Sequence, residues 1–134
     1  MRCFALEDFM PAKTILIVDD MSTLRQPARV ILERAGYIVE EAGTGEEALV
    51  KIARSRPDLM LLDLMMPTMS GLAVLEHIRA DTALKEFPII IMTAVAGKWQ
   101  MNEYIEMGAT DYILKPFTSS ILLDRVRRVL GNGA

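Results

Sequence analysis

The sequence predicts an α/β fold in a single domain, with five parallel strands in an open sheet and helices on both of its faces. Three observations carry that expectation. Short apolar runs alternate with amphipathic stretches five times along 134 residues, the pattern of repeated βα units. The runs ILIV, LMLL and III show no in/out alternation, as befits strands covered on both faces. The links between runs are short and punctuated by Gly and Pro, and none has the length or composition of a linker to a second domain.

Taken in order, the first strand is expected over Thr14–Asp19 and the first helix over Ser22–Ala35, closed by Gly36. Pro27 lies inside that helix and deletes one backbone bond, so a mild first-turn distortion is expected rather than a break. A second strand over Tyr37–Glu41 leads to a helix over Gly45–Arg54. Pro57 then precedes the third strand, Leu59–Asp63, and a helix follows over Gly71–Arg79. Pro88 precedes the fourth strand, Ile89–Thr93, whose helix over Lys98–Met107 is ended by Gly108. The fifth unit pairs Asp111–Leu114 with a helix over Ser119–Leu130. The expected organisation is an N-terminal extension at 1–12, one domain at 13–131 and a short tail at 132–134.

Composition narrows the function classes. The chain is 51% hydrophobic and 25% charged, which is ordinary for a globular domain and excludes disorder. No apolar run approaches the roughly 20 residues of a membrane helix, so no membrane partner is expected. A net charge of −3 argues against nucleic acid as the main partner, because phosphate-binding surfaces cluster Lys and Arg. The basic stretch Arg125-Val126-Arg127-Arg128 reads as a solvated helix face. Cys3 is the single cysteine, so no internal disulfide forms, in keeping with a reducing compartment. The first twelve residues lack a signal-peptide pattern, and a cytoplasmic location is the expectation.

The chemistry lies at the ends of the apolar runs. Asp19 and Asp20 close the first, Asp63 the third, Thr93 the fourth and Lys115 the fifth. In open parallel sheets, ligands bind beyond the carboxyl ends of the strands, so these groups converge. Singly, each has an ordinary reading: the acid pair as a helix cap, Asp63 as a turn residue, Thr93 as packing, Lys115 as surface charge. Their joint placement on strand-like runs favours a site. Three crowded carboxylates repel and call for a cation; Mg²⁺, a hard ion with oxygen ligands, suits them, and Mn²⁺ is expected to substitute. A phosphoryl group on Asp63 would then be flanked by the ion, the Lys115 ammonium and the Thr93 hydroxyl, a set fitted to phosphoryl transfer.

The motifs VDD at Val18–Asp20, DLMMPTMSG at Asp63–Gly71, MTA at Met92–Ala94 and GATDYILKPF at Gly108–Phe117 resemble those of the CheY-like receiver domains of two-component response regulators. The resemblance spans about Lys13 to Leu130. It implies a doubly wound, flavodoxin-like (βα)5 sandwich, and it alone supplies the strand order 2-1-3-4-5. It also implies that Asp63 is the phosphoacceptor, that Asp20 binds the metal directly and that Asp19 orients water and metal. The Met65 backbone carbonyl would complete the ligands, Lys115 would pair with the phosphoryl group, and Pro116 would form a cis peptide that aims it. Thr93 would be the switch hydroxyl, Tyr112 the switch aromatic, and Ala94 a supporting residue. A histidine kinase or phosphotransfer protein would be the donor, and a target protein would read the face built by the fourth helix, fifth strand and fifth helix. Such a module modifies only itself and turns over no independent metabolite.

Three residues depart from the chemotaxis type. Met65 and Val95 stand where polar side chains often flank the attacking water, and Leu64 where an aromatic residue is common. A longer-lived phosphoryl group is therefore expected, and a flagellar-motor role is disfavoured. His77, the sole histidine, reads as a surface residue. Trp99, Ile121 and Leu123 add apolar character to the expected switch face, compatible with a monomer or a weak homodimer. An aspartyl-nucleophile phosphatase is the competing enzyme reading, but its acids usually sit two residues apart, and here they are adjacent. A flavin carrier would need a Ser/Thr/Gly loop after the first strand in place of Asp19-Asp20.

Overall fold

The computed structural model describes residues 12–94 and 98–131, apart from the side chains of Leu24, Lys98 and Trp99. Val95, most of the N-terminal extension, the tail and the Trp99 side chain lie outside that set. Five strands, β1 (Thr14–Val18), β2 (Ile38–Ala42), β3 (Leu59–Asp63), β4 (Ile89–Thr93) and β5 (Asp111–Leu114), alternate with five helices. The helices are α1 (Ser22–Arg34), α2 (Gly45–Arg54), α3 (Gly71–Ala80), α4 (Lys98–Glu106) and α5 (Ser119–Leu130). All strand pairs are parallel, in the order β2-β1-β3-β4-β5. The expected fold class and strand order are those observed. Element ends differ by a residue or so, the largest shift being β2, which starts at Ile38 and runs to Ala42. A 3-10 turn at Thr82–Leu84 was not foreseen.

Strand parity divides the core into two layers. Leu16, Val18, Met60, Leu62, Ile89 and Ile91 pack with residues of α2, α3 and α4 on one face. Ile15, Ile17, Leu59, Leu61, Ile90 and Met92 pack with Ala28 and Leu32 of α1 and Leu122 and Val126 of α5 on the other. Every residue of β3 and β4 is buried, which explains why those runs lack alternation. Asp63 and Thr93 are carried into the interior on these two central strands.

Helix starts follow local chemistry. Thr44, Ser70 and Thr118 accept from the backbone N–H three residues on, at 3.1, 3.2 and 3.2 Å, satisfying donors the helices cannot. Gly36 and Gly108 take φ of 99° and 111°, as expected of helix-ending glycines. Pro27 is the sixth residue of α1, past the first turn where a distortion was expected, and the helix continues through it. What it removes is one hydrogen bond.

Candidate functional site

The parallel register sets the site. Val18 pairs with Leu62, Asp63 with Met92 and Thr93 with Leu114. The residues that end β1, β3, β4 and β5 therefore meet at one sheet edge. The chain passes from β1 outward to β2 and then back across to β3, so the edge lies at the point where the winding reverses.

There Asp19, Asp20 and Asp63 each offer a carboxylate oxygen within 4.8 Å of the others. Asp19 and Asp63 are buried, and Asp20 is exposed. Lys115 Nζ donates to Asp19 Oδ2 at 3.0 Å and stands 3.6 Å from Asp63 Oδ1. Thr93 is buried beside them on β4. The backbone holds the carboxylates in place: Met21 N–H donates to Asp19 Oδ1 at 3.1 Å, and Met65 N–H to Asp63 Oδ1 at 3.3 Å. The Lys115–Pro116 peptide is cis, and Lys115 N–H donates to the Thr93 carbonyl at 2.8 Å.

Burial pushes the Asp63 carboxyl above its ordinary value. The Lys115 ammonium opposes that rise, and the Asp19 carboxylate adds to it. Three carboxylates against one ammonium leave an excess of negative charge in a partly buried pocket. A hard divalent ion answers that excess, and the donor set, all oxygen, fits Mg²⁺. Neither acid occupies the N-cap of α1: that position is Met21, which makes no side-chain cap.

Tyr112 is half-buried against the α2–α3–α4 layer, and the Arg125 guanidinium lies 5.8 Å from its ring centre. Ala94 is exposed at the end of β4. Leu64 is buried, while the Met65 side chain is 70% exposed at the mouth of the pocket. His77 is exposed on α3, away from the acids, as a surface residue. Ile105, Leu114 and Ile121 are exposed on α4, β5 and α5.

Supporting residues were missed in the sequence. Arg25 donates to the Asp19 carbonyl and pairs with Glu41 at 2.8 Å, and that hydrogen bond holds the Glu41 carboxyl below its usual range. Arg29 pairs with the same carboxylate. Gly71 lets α3 start directly against β3: an added Cβ would strike the Asp63 carbonyl oxygen and lie 2.7 Å from Leu64 Cα. Of these, only Gly71 left a trace in the sequence, as the last residue of the segment that begins at Asp63.

A family model described as the response regulator receiver domain matches residues 15–127. The phosphate regulon transcriptional regulatory protein PhoB of Pseudomonas aeruginosa is 40% identical over 121 residues, covering 90% of this chain and 53% of that protein. Chemotaxis protein CheY1 of Helicobacter pylori is also 40% identical, over 87% of this chain and 96% of its own length. The chain spans about half the length of PhoB and of several other curated relatives it matches. Among solved structures, chemotaxis protein CheY4 of Vibrio cholerae superposes with a TM-score of 0.83 at 34% identity, covering 89% of this chain and 99% of that one. A response regulator from Chloroflexus aurantiacus gives 0.85 at 35% identity, over 90% and 98%. With its sheet order, its acidic edge and these relatives in agreement, the chain belongs to the receiver-domain family of two-component response regulators.

Proposed function

We propose that this domain takes a phosphoryl group onto Asp63 from a histidine kinase or a histidine-containing phosphotransfer protein, and that it signals by binding a target protein. The observation that carries the reading is the Lys115 ammonium set between the Asp19 and Asp63 carboxylates, with Asp20 completing the acidic cluster. In the transfer, an Asp63 oxygen attacks the donor's phosphorus. An O–P bond forms as the donor's N–P bond breaks, and the imidazole nitrogen leaves with the electron pair. Lys115 faces the phosphoryl oxygens as a fixed positive charge, and the Thr93 hydroxyl donates to another of them. Asp19, Asp20, Asp63 and the Met65 backbone carbonyl would hold Mg²⁺, or Mn²⁺ in its place, and the ion supplies neutralisation of the phosphoryl charge. The domain catalyses only its own phosphorylation and dephosphorylation.

Drawing Thr93 toward the phosphoryl group frees space for Tyr112, and the α4–β5–α5 face changes shape for its partner. Exposed Ile105, Leu114 and Ile121 give that face apolar contact area. A full reversal of a 1:99 equilibrium needs about 5.5 kcal/mol of preference for the active form. The domain works in the cytoplasm, either alone, as its near-complete match to CheY1 favours, or as the receiver of a longer regulator, as its half-length match to PhoB favours.

The test is intact mass after incubation with Mg²⁺ and acetyl phosphate. One added phosphoryl group is expected in the wild type and none in Asp63→Asn, with Lys115→Met slowed roughly 10²-fold. No adduct on the wild type, or an adduct on Asp63→Asn, refutes the reading.

A further inference from the structure

Eight methionines fall within the described residues, and their placement is uneven. Met60, Met66, Met92 and Met101 are buried, and Met69 and Met107 are partly buried. Only Met21 and Met65 are exposed, at 52% and 70%. Both flank the acidic pocket. The backbone N–H of Met21 donates to Asp19 Oδ1, and that of Met65 donates to Asp63 Oδ1. Met21 lies three residues past the end of β1, at the N-cap of α1, and Met65 two residues past the end of β3. An exposed thioether forfeits the burial that makes methionine useful in a core, so packing does not account for either.

We propose that Met21 and Met65 form an oxidation-sensitive rim on the acidic pocket. One molecule of hydrogen peroxide transfers one oxygen atom to one thioether sulfur: an S–O bond forms, the peroxide O–O bond breaks, and the other oxygen leaves as water. The sulfur is oxidised by two electrons and the peroxide is reduced. The product sulfoxide is polar and a strong hydrogen-bond acceptor, and reductases reverse it. Oxidation therefore turns an apolar rim into one that holds water beside the carboxylates. Each modified side chain is carried by the residue whose backbone N–H anchors a carboxylate, so the change falls at the rim of the acidic cluster. Two consequences follow. Water held at the rim shortens the life of a phosphoryl group on Asp63, a consequence that rests on the phosphoacceptor reading. The sulfoxide oxygens also accept hydrogen bonds from a cation's water shell and tighten Mg²⁺ binding, which does not rest on it.

The experiment treats the full chain with graded hydrogen peroxide and maps oxidised peptides by mass spectrometry. It then measures the Mg²⁺ Kd and the half-life of the phosphorylated form against untreated protein. Met21 and Met65 are expected to gain oxygen before Met60, Met66, Met92 and Met101. The half-life should fall several-fold, the Mg²⁺ Kd should fall, and methionine sulfoxide reductases should restore both. The Met21→Leu/Met65→Leu variant keeps Cys3, Met1 and Met10, so it reports oxidation elsewhere; its half-life and Kd should be the same before and after peroxide. Buried methionines oxidising as fast as the rim overturns the proposal. So does an unchanged half-life and Kd once Met65 is oxidised, or an equal response in the double variant. If untreated protein takes no phosphoryl group, the phosphoacceptor reading fails and the Mg²⁺ titration alone decides the rim: a lower Kd sustains it and an unchanged one overturns it.

Discussion

Asp63 is held in a setting that disfavours its own charge. Burial raises its carboxyl above the ordinary 3.8, Lys115 only partly offsets this, and Asp19 adds to the rise. A carboxyl whose folded pKa is raised binds its proton more tightly in the folded state. Its contribution to stability is complete below the unfolded value and is lost as pH rises through the folded one. Ionised Asp63 therefore costs stability in metal-free protein at neutral pH. Asp63→Asn should melt higher than the wild type in chelator at about pH 7, and the gap should close as pH falls below the ordinary carboxylate value, where the carboxyl is protonated in both the folded and unfolded states. Thermal melts across that range decide it, and a variant that melts no higher at neutral pH contradicts the argument. Met65 belongs to the same scale. Its exposed thioether cannot orient a water, so Met65→Asn should shorten the phosphoryl half-life by about tenfold, equivalent to ~1.4 kcal/mol of barrier. Equal decay of radiolabelled phosphoprotein in the two proteins would exclude a role for this side chain.

Between elements, the tightest constraint is the approach of α3 to the end of β3. Gly71→Ala drives a methyl into the backbone at Asp63 and Leu64, which backbone can relieve only by moving the site. A loss of about 1–3 kcal/mol is expected, read as a lower urea midpoint at unchanged slope, together with slower phosphorylation of Asp63. Gly45→Ala should cost less, because its methyl meets the flexible Met69 side chain and Val74 Cγ2 at 2.7–2.9 Å. Equal losses in the two variants would remove the special role of Gly71. The elements themselves were legible because helix and strand periods, caps and the apolar β3 and β4 runs are local signals. Arg79 was not legible. It donates to the carbonyls of Leu84, Phe87 and Gly108 at 2.7–2.9 Å, and its partners lie 5, 8 and 29 residues away, in a 3-10 turn and in connecting segments with no common pattern. Arg25 and Glu41 were missed for the same reason, being 16 residues apart on α1 and β2.

At the scale of the molecule, the polar strand ends were readable but their convergence depends on strand order, which apolar runs do not encode and which came from family resemblance. Once the order is β2-β1-β3-β4-β5, the acids that follow β1 and end β3 face one another across that adjacent strand pair. Both core layers are built on that pair, so charge crowding at its end opposes folding of the whole domain. A cation bound there should stabilise the protein globally, since a ligand held only by the folded state adds RT ln(1 + [L]/Kd), about 2.7 kcal/mol at a hundredfold excess over Kd. For a domain of this size that corresponds to a melting temperature higher by roughly 10 °C. Matched ionic strength from NaCl should not reproduce the rise, because screening acts weakly on buried groups. Asp20→Asn should lose most of it while keeping the core intact, since Asp20 is the exposed member of the cluster. A Mg²⁺ response equal to that of NaCl, or undiminished in Asp20→Asn, would mean that the three carboxylates do not act as one cation site.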